Sequence, residues 1–236
     1  MVLKIRDMKK ITLLVMSLLF AFTMQAQDKK YSDHYYKRVA QFEKEAPITE
    51  EDIVLLGDSL TEGGEWSKYF PKTEAKLNKK GGAIRNRGIV GDTAEGIYDR
   101  LDQIIPGNPR KLFFLCGAND VSHDLSADTI VARIEKVLVK IQKECPKTKL
   151  YLQSMLPFNE SFKRYKKLDG KTYMVALVND RLEQLAKKLK ITYINIHPLF
   201  LEEGTESMNP QITADGLHLK KEGYAIWSGA IEKYVK

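Results

Sequence analysis

The sequence contains little that would cross-link the chain or divide it into several units. It has only two cysteines, Cys116 and Cys145, and its 236 residues suit one domain better than two. We expect Cys116 near the end of an apolar strand and Cys145 at the end of the helix that returns beneath it. A disulfide needs Cα atoms within roughly 7 Å, and this arrangement separates the two cysteines. The sequence therefore predicts two free, buried thiols.

No apolar run is long enough to span a bilayer comfortably. The run over residues 11–24 has about 14 residues, whereas a transmembrane helix needs about 20. It follows a basic stretch at residues 4–10, and small or polar residues with Ala26 as the expected cleavage position follow it. This order predicts a signal peptide over residues 1–26 and export to the periplasm or the extracellular space, with an uncleaved anchor as the alternative. No cysteine lies near the cleavage region, which argues against a lipid-modified N-terminus.

The sequence also lacks an aromatic-interleaved basic stripe. The formal net charge is +7, but residues 1–26 contribute +3 of it, which leaves only +4 spread among mixed signs. This pattern argues against a nucleic-acid partner. Hydrophobic residues make up 43% of the chain, which is enough for a sizeable core. After signal cleavage we expect no stable membrane insertion.

The remaining chain divides into a polar leader and an alternating domain. Residues 27–50 are charged, with a weakly helical middle, and are expected to pack on the surface of a domain over residues 51–236. Short apolar segments predict five strands, at residues 53–56, 84–90, 111–117, 150–155 and 191–196. Helical stripes lie between them, one of which is predicted over Ala94–Ile105 with a capping box formed by Asp92 and Glu95. Strands alternating with helices predict a parallel sheet covered on both faces, with ligands beyond its carboxyl ends.

Four loops carry polar residues in the order and on the side of the sheet where a site must form. Each has a structural interpretation when taken singly, since Ser is a frequent helix cap and Asn, Asp and Gly are frequent turn residues. It is the combination that favours catalysis. The four are Gly57-Asp58-Ser59-Leu60, Asn86-Arg87-Gly88, Gly117-Ala118-Asn119-Asp120 and Asp215-Gly216-Leu217-His218.

These residue types supply the parts of acyl transfer. Ser59 is the candidate nucleophile, and a Ser hydroxyl reacts only when a base removes its proton. His218 is the candidate base, and Asp215, three residues earlier, would fix its tautomer and stabilise the imidazolium. The backbone N–H groups of Ser59 and Gly88 and the side-chain amide of Asn119 are the candidate oxyanion donors.

With these motifs in this order, the sequence resembles the GDSL, or SGNH, serine hydrolases. The residues Ser59, Gly88, Asn119 and His218 are matched to the four landmarks of that name, and the likeness runs from about Ile53 to the last helix. The block Asn86–Thr93 is similar to that of platelet-activating-factor acetylhydrolase-like esterases, while Ala118 replaces the usual Thr of the third block. The resemblance implies a flavodoxin-like α/β/α sandwich with about five parallel strands, and no metal or organic cofactor.

The predicted function is hydrolysis of short acyl esters through an acyl-Ser59 intermediate. A small-molecule or glycan ester is the expected substrate, and a carbohydrate O-acetylesterase is the favoured assignment. The alternatives are a lysophospholipase or thioesterase acting on longer acyl chains, and a non-catalytic glycan-binding module. The basic run Lys163–Lys171 is interpreted as a solvated loop, with a substrate-shaping lid as its alternative.

Overall fold

Five short strands supply the frame of the domain, as the apolar segments predict. A computed structural model describes residues 29–236, and within it residues 33–236 form one compact unit. The signal-peptide prediction for residues 1–26 lies outside the described residues. The strands are β1 (Ile53–Gly57), β2 (Ile84–Gly88), β3 (Lys111–Leu115), β4 (Lys149–Gln153) and β5 (Thr192–Ile194). They form one parallel sheet in the order β2-β1-β3-β4-β5, with Gly57 paired to Gly88 at the end of the first two strands.

Helices cover both faces of this sheet, which confirms the predicted α/β/α class. The α-helices of the described chain are α1 (Asp33–Lys44), α2 (Ser59–Glu62), α3 (Trp66–Tyr69), α4 (Pro71–Asn78), α5 (Ala94–Asp99), α6 (Ala118–Ser122), α7 (Ala127–Glu144), α8 (Thr172–Leu189) and α9 (Lys221–Val235). Alternate residues of β1 point to opposite sides. Val54 and Leu56 join the core under α5, α7 and α8, while Ile53 and Leu55 join the core under α3, α4 and α9.

The segment predicted as a polar leader contains α1, which is anchored by a few specific contacts. Tyr35 is buried, and its hydroxyl donates to the carbonyl oxygen of Gly96 in α5 at 2.9 Å. The buried ring of Phe42 lies under the guanidinium groups of Arg38 and Arg87. One face of an otherwise charged helix is thereby fixed against the body of the domain.

Helix α5 is shorter than predicted and is capped by a different residue. It ends at Asp99 rather than Ile105, because Arg100 leaves helical geometry and the chain continues in two 3₁₀ turns, Leu101–Gln103 and Ile105–Gly107. The Thr93 hydroxyl, rather than Asp92, caps the helix by accepting from the N–H of Gly96 at 3.3 Å. The capping-box prediction is therefore wrong, since the Asp92 carboxylate pairs with Arg100 instead.

Both cysteines are free and buried, which confirms that prediction. Burial raises the pKa of the Cys116 thiol well above its ordinary value, so both thiols behave as part of the core. Among the residues that the structure describes, none of the helices combines the length and apolar character needed to cross a membrane.

Candidate active site

A cleft of about 410 Å³ lies at the carboxyl ends of the central strands, where ligands of open α/β sheets bind. Three of the four loops singled out by the sequence contribute to its walls, and so does the segment after β4. The lining residues are Ser59, Val90, Gly91, Ala118, Asn119, Ser122, Arg164, Tyr165, Lys166, Lys167, Leu168, Leu217 and His218.

Ser59 occupies the first position of α2, directly after β1. The residue that caps this helix is Asp58, whose Oδ1 accepts from the N–H of Leu60 at 3.0 Å. The Ser59 hydroxyl is therefore not needed as a cap and faces the cleft, although the residue is only 8% exposed. Its own N–H has no acceptor within the described chain. The turn thus presents both a hydroxyl and a free backbone donor at one point.

Asp215 and His218 are joined by a tight turn that one carboxylate organises. Asp215 Oδ1 accepts from the backbone N–H groups of Leu217 and His218 at 3.0 and 2.7 Å. Its other oxygen, Oδ2, lies 2.8 Å from Nδ1 of the His218 ring. Partial burial alone would raise the pKa of Asp215, but hydrogen bonds from Tyr165, from the His218 ring and from these backbone groups lower it to about 2. The carboxylate is therefore charged at neutral pH and fixes the imidazole in place.

The opposite ring nitrogen of His218 reaches the serine. His218 Nε2 lies 3.0 Å from Ser59 Oγ, a contact between residues 159 positions apart in sequence. With Nδ1 held by Asp215, Nε2 is left to accept the hydroxyl proton. The structure thus brings the three predicted residues into one continuous chain of contacts.

A fourth side chain, that of Tyr165, contacts both Asp215 and His218, and the sequence analysis does not predict it. The Tyr165 hydroxyl donates to Asp215 Oδ2 at 2.7 Å. The Tyr165 hydroxyl oxygen also lies 3.0 Å from His218 Nδ1. Its ring packs edge-on against the imidazole at a centroid distance of 5.7 Å. Burial and the charge of Asp215 raise the pKa of Tyr165 to about 12, so it is a hydrogen-bond donor at neutral pH.

Tyr165 belongs to the basic run that was interpreted as a solvated loop. Most of this run is exposed, as a solvated loop would be, but residues 164–168 also line the cleft, so the alternative of a substrate-shaping lid stays a prediction. The available signal was an aromatic residue and Leu168, which is buried, inside an otherwise charged stretch.

Asn119 faces the cleft with its amide already oriented. One hydrogen of Nδ2 is donated to the carbonyl oxygen of Asp92 at 2.8 Å, which leaves the second hydrogen for another acceptor. Ser122, also in the cleft wall, donates its hydroxyl to the backbone carbonyl of Asn119 at 2.8 Å. The Asn119 side chain and backbone are therefore each held by one hydrogen bond, which fixes the predicted oxyanion donor in place.

Gly88 does not lie in the cleft as the predicted oxyanion donor. Its N–H donates to Asn86 Oδ1 at 2.9 Å, and a Cβ at this position would lie 2.1 Å from the backbone nitrogen of Glu62. Gly88 is needed because α2 packs closely on β2, and it is absent from the cleft wall. Gly91, three residues later, lines the cleft with φ of 78° and has an N–H without an acceptor in the described chain.

Beneath Ser59 lies a buried group of charged residues, named here the acidic floor: Asp58, Asp92, Arg100 and Asp120. Arg100 Nε pairs with Asp92 at 2.7 Å, and its NH2 group donates to the carbonyl oxygens of Gly57 and Arg87 at 3.0 Å each. Asp120 accepts from the N–H of Ala94 at 3.0 Å. These contacts tie together the loops that follow β1, β2 and β3.

Burial dominates the acid–base chemistry of this floor. It raises the pKa of Asp58 to about 7, with added repulsion from Asp92 and Asp120, against one stabilising hydrogen bond from Leu60. Burial also raises the pKa of Asp92 to about 6, although Arg100 opposes the change. Within residues 29–236, no three or more His, Cys, Asp or Glu side chains are grouped so as to hold a metal ion.

Comparison with known proteins agrees with this arrangement. Residues 55–226 match the family of GDSL-like lipases and acylhydrolases. The chain belongs to this family. The match includes Ser59, Asn119, Asp215 and His218, and it confirms the predicted GDSL-type acylhydrolase at the level of the family.

Solved structures with the same fold cover most of the chain. A Bacteroides thetaiotaomicron GDSL-like lipase is 26% identical, with a TM-score of 0.69 over 85% of this chain and 96% of its own. A Streptococcus pneumonia protein provisionally described as a platelet activating factor is 21% identical, with a TM-score of 0.72 over 94% of this chain and 99% of its own. The acetyl xylan esterase AlAXEase is 22% identical, with a TM-score of 0.62 over 78% and 100%. The last two likenesses, below 25% identity, establish the fold alone.

Curated relatives match this chain over part of their own length. An Escherichia coli N-acylneuraminate cytidylyltransferase is 24% identical over 191 residues, which cover 78% of this chain and 40% of that protein. The chain spans less than half the length of the curated relatives that it matches.

Proposed function

We propose that this chain is a serine esterase that hydrolyses short acyl esters through an acyl-Ser59 intermediate. The observation that carries the proposal is the contact chain from Ser59 Oγ to His218 Nε2 at 3.0 Å and from His218 Nδ1 to Asp215 Oδ2 at 2.8 Å. Both distances lie within the range expected for proton transfer in a catalytic triad.

In the first half of the reaction, His218 Nε2 takes the hydroxyl proton as Ser59 Oγ attacks the ester carbonyl carbon. Asp215 stabilises the resulting imidazolium, and Tyr165 holds the Asp215 carboxylate. The imidazolium then donates its proton to the leaving alcohol. In the second half, His218 activates a water molecule that attacks the acyl-enzyme and releases the acid and free Ser59.

The tetrahedral intermediates need donors for their negative oxygen. We assign this role to the Ser59 N–H, the free hydrogen of Asn119 Nδ2 and the Gly91 N–H, in place of the Gly88 N–H. All three residues line the cleft, and neither backbone group is otherwise engaged in the described chain. Fixed donors of this kind act where charge develops, so they stabilise the transition state more than the substrate.

A carbohydrate O-acetyl ester remains our preferred substrate class. Polar and charged residues in the cleft wall support it, although most of the accessible surface of that wall is apolar, and one protein of the same fold is an acetyl xylan esterase. A specific observation favours the second candidate, a longer acyl chain: Val90, Ala118, Leu168 and Leu217 give the same cleft an apolar component.

The acyl chain length separates these candidates. We expect p-nitrophenyl acetate and butyrate to be hydrolysed with higher kcat/KM than the octanoate. An apolar acyl pocket would add roughly 0.8 kcal/mol for each buried CH₂, so a steady rise in kcat/KM up to octanoate would establish the lipid-type alternative. Ser59→Ala should abolish turnover and labelling by fluorophosphonate probes. Continued turnover by that variant would contradict the acyl-Ser59 mechanism.

Export is part of the proposal and rests on the sequence of residues 1–26. Protein recovered from its native cell should begin near Gln27, which mass spectrometry of the N-terminal peptide measures. An intact Met1 in the membrane fraction would favour the anchor.

A further inference from the structure

The cleft that holds Ser59 carries a strong imbalance of charge. Three cationic residues, Arg164, Lys166 and Lys167, line its wall, and none of its lining residues is acidic. The carboxylate of Asp215 lies behind His218 and is already engaged by four donors, the His218 ring, the backbone N–H groups of Leu217 and His218, and the Tyr165 hydroxyl. A ligand in the cleft therefore meets positive charge from one side.

These three cations have no carboxylate partner of their own. None of them forms an ion pair within 4.0 Å in the part of the chain that the structure describes, and Arg164 contacts only the Tyr165 hydroxyl, whose pKa it lowers. Lys171, at the end of the same segment, differs in this respect, since its Nζ lies 2.6 Å from Asp124 Oδ1. Lys167 lowers the pKa of Asp124 only through its charge, without an ion pair. Some lysine and arginine side chains elsewhere on this surface are paired, as in Arg181 with Asp128.

The segment that carries the cations is built to keep its shape. The Glu160 carboxylate accepts from the N–H groups of Gly170, Lys171 and Thr172 at 2.6, 3.0 and 2.9 Å, which closes residues 160–172 into a loop. Leu168 is buried in the core, and the Tyr165 hydroxyl is held by Asp215. The cations therefore flank anchored residues, and their backbone positions are fixed beside the nucleophile.

We infer that the alcohol portion of the substrate carries an anionic group, a carboxylate or a phosphate, which Arg164, Lys166 and Lys167 bind while the ester lies over Ser59. The inference rests on the proposed function, because an acetyl group is uncharged and the anion must then belong to the alcohol. Unpaired cations around a cleft raise the local concentration of anions and favour their binding. Arg and Lys are also the side chains that recognise carboxylate and phosphate.

Aryl acetates provide matched probes, since one substituent changes the charge of the alcohol and little else. We compare 4-acetoxybenzoate and 4-acetoxyphenyl phosphate with the neutral methyl 4-acetoxybenzoate, each corrected for its rate of hydroxide-catalysed hydrolysis. The expected result is a kcat/KM for one of the anionic esters about 10-fold or more above that of the neutral ester at low salt, declining as ionic strength rises. The better of the two anions then identifies the chemical class.

The variant Arg164→Gln/Lys166→Gln/Lys167→Gln tests whether these side chains cause the preference. We expect the ratio of anionic to neutral kcat/KM to fall about 10-fold and its salt dependence to disappear. The ratio cancels any disturbance of Tyr165, since both esters use the same catalytic residues. Lys163→Gln is the matched control, because it removes one charge from the same segment outside the cleft, and its ratio should equal that of the unchanged protein.

Three results would overturn the inference: equal turnover of anionic and neutral esters, a preference that survives in the triple variant, or a preference seen only when the charge is on the acyl side, as in 4-nitrophenyl succinate. Binding of the same probes to Ser59→Ala, measured by calorimetry, keeps the test independent of the proposed function. Tighter binding of the anionic ester without turnover in the unchanged protein would refute the esterase and support the anion site. Equal binding of both probes would refute the anion site itself.

Discussion

Asp58 and Asp215 lie on two sides of Ser59 and experience opposite environments. Asp58 belongs to the acidic floor, is 1% exposed, and has one stabilising hydrogen bond, so burial raises its pKa to about 7. Asp215 is partly exposed and accepts hydrogen bonds from Tyr165, His218 and Leu217, which lower its pKa to about 2. Burial and the number of hydrogen-bond donors around a carboxylate, rather than its distance from the nucleophile, therefore decide which acid is charged and supports catalysis.

The largest expected effect on activity comes from removing the histidine that Asp215 supports. His218→Ala removes the base and should reduce kcat by on the order of 10⁵–10⁶-fold, about as much as Ser59→Ala. The double variant should be no slower than either single one, because the residues act as one unit. Hydrolysis of p-nitrophenyl acetate measures this. His123→Ala, a histidine near the cleft but outside its wall, is the control, and a comparable loss there would refute the assignment of the base.

The next largest effect on activity concerns Asn119, which lines the cleft and contacts Asp92 of the acidic floor. Asn119→Ala removes the amide that donates to the Asp92 carbonyl oxygen and, in our proposal, to the oxyanion. We expect kcat to fall by roughly 10²–10³-fold with little change in KM, because the lost interaction forms only as charge develops. Steady-state kinetics measure both constants. Ser122→Ala, which also lines the cleft and touches Asn119, should retain kcat within a few-fold. Normal kcat in Asn119→Ala would leave the Ser59 and Gly91 N–H groups as the only donors.

The acidic floor and the group formed by Asp215, His218 and Tyr165 also differ in how far the sequence predicts them. The five strands follow from apolar runs, and Asp58 and Asp120 of the floor lie in the loops directly after them, since the carboxyl ends of parallel strands meet at one edge. Asp92 and Arg100 do not follow in this way, because their ion pair takes the place of the predicted capping box. Asp215 and His218 are predictable because a spacing of three residues allows one carboxylate to hold both the turn and the ring. Tyr165 is not, since its role depends on where a long connection folds back. Gly88 was misassigned because a glycine that permits close helix packing and one that faces a ligand look alike in sequence.

A smaller effect tests Tyr165 as a positioning residue. Tyr165→Phe keeps the ring against His218 but removes the donor to Asp215. We expect kcat to fall by about 10-fold with KM unchanged, since one hydrogen bond to a charged group contributes roughly 1.5 kcal/mol. The pKa of Asp215, followed by NMR of its carboxyl carbon, should rise toward its ordinary value. Tyr173→Phe, at an exposed tyrosine, is the control. An unchanged Asp215 pKa would show that Tyr165 only packs against the ring.

The smallest effect on activity, and the sharpest test of the floor, is Asp58→Asn. The folded protein binds the proton of the Asp58 carboxyl more tightly than the unfolded chain does. The stability that protonated Asp58 contributes is therefore fully present below the unfolded pKa near 3.8 and is lost as the pH rises through about 7. Within that window the loss approaches about 1.4 kcal/mol per pH unit. The amide introduced by the substitution would keep an oxygen for the Leu60 N–H without acquiring charge. The free energy of unfolding of the variant relative to the unchanged protein should therefore rise between about pH 4 and pH 8, as measured by urea denaturation. Asp180→Asn, at an exposed acid, should show no such trend, and a pH-independent difference for Asp58→Asn would mean that the floor holds Asp58 in its charged form.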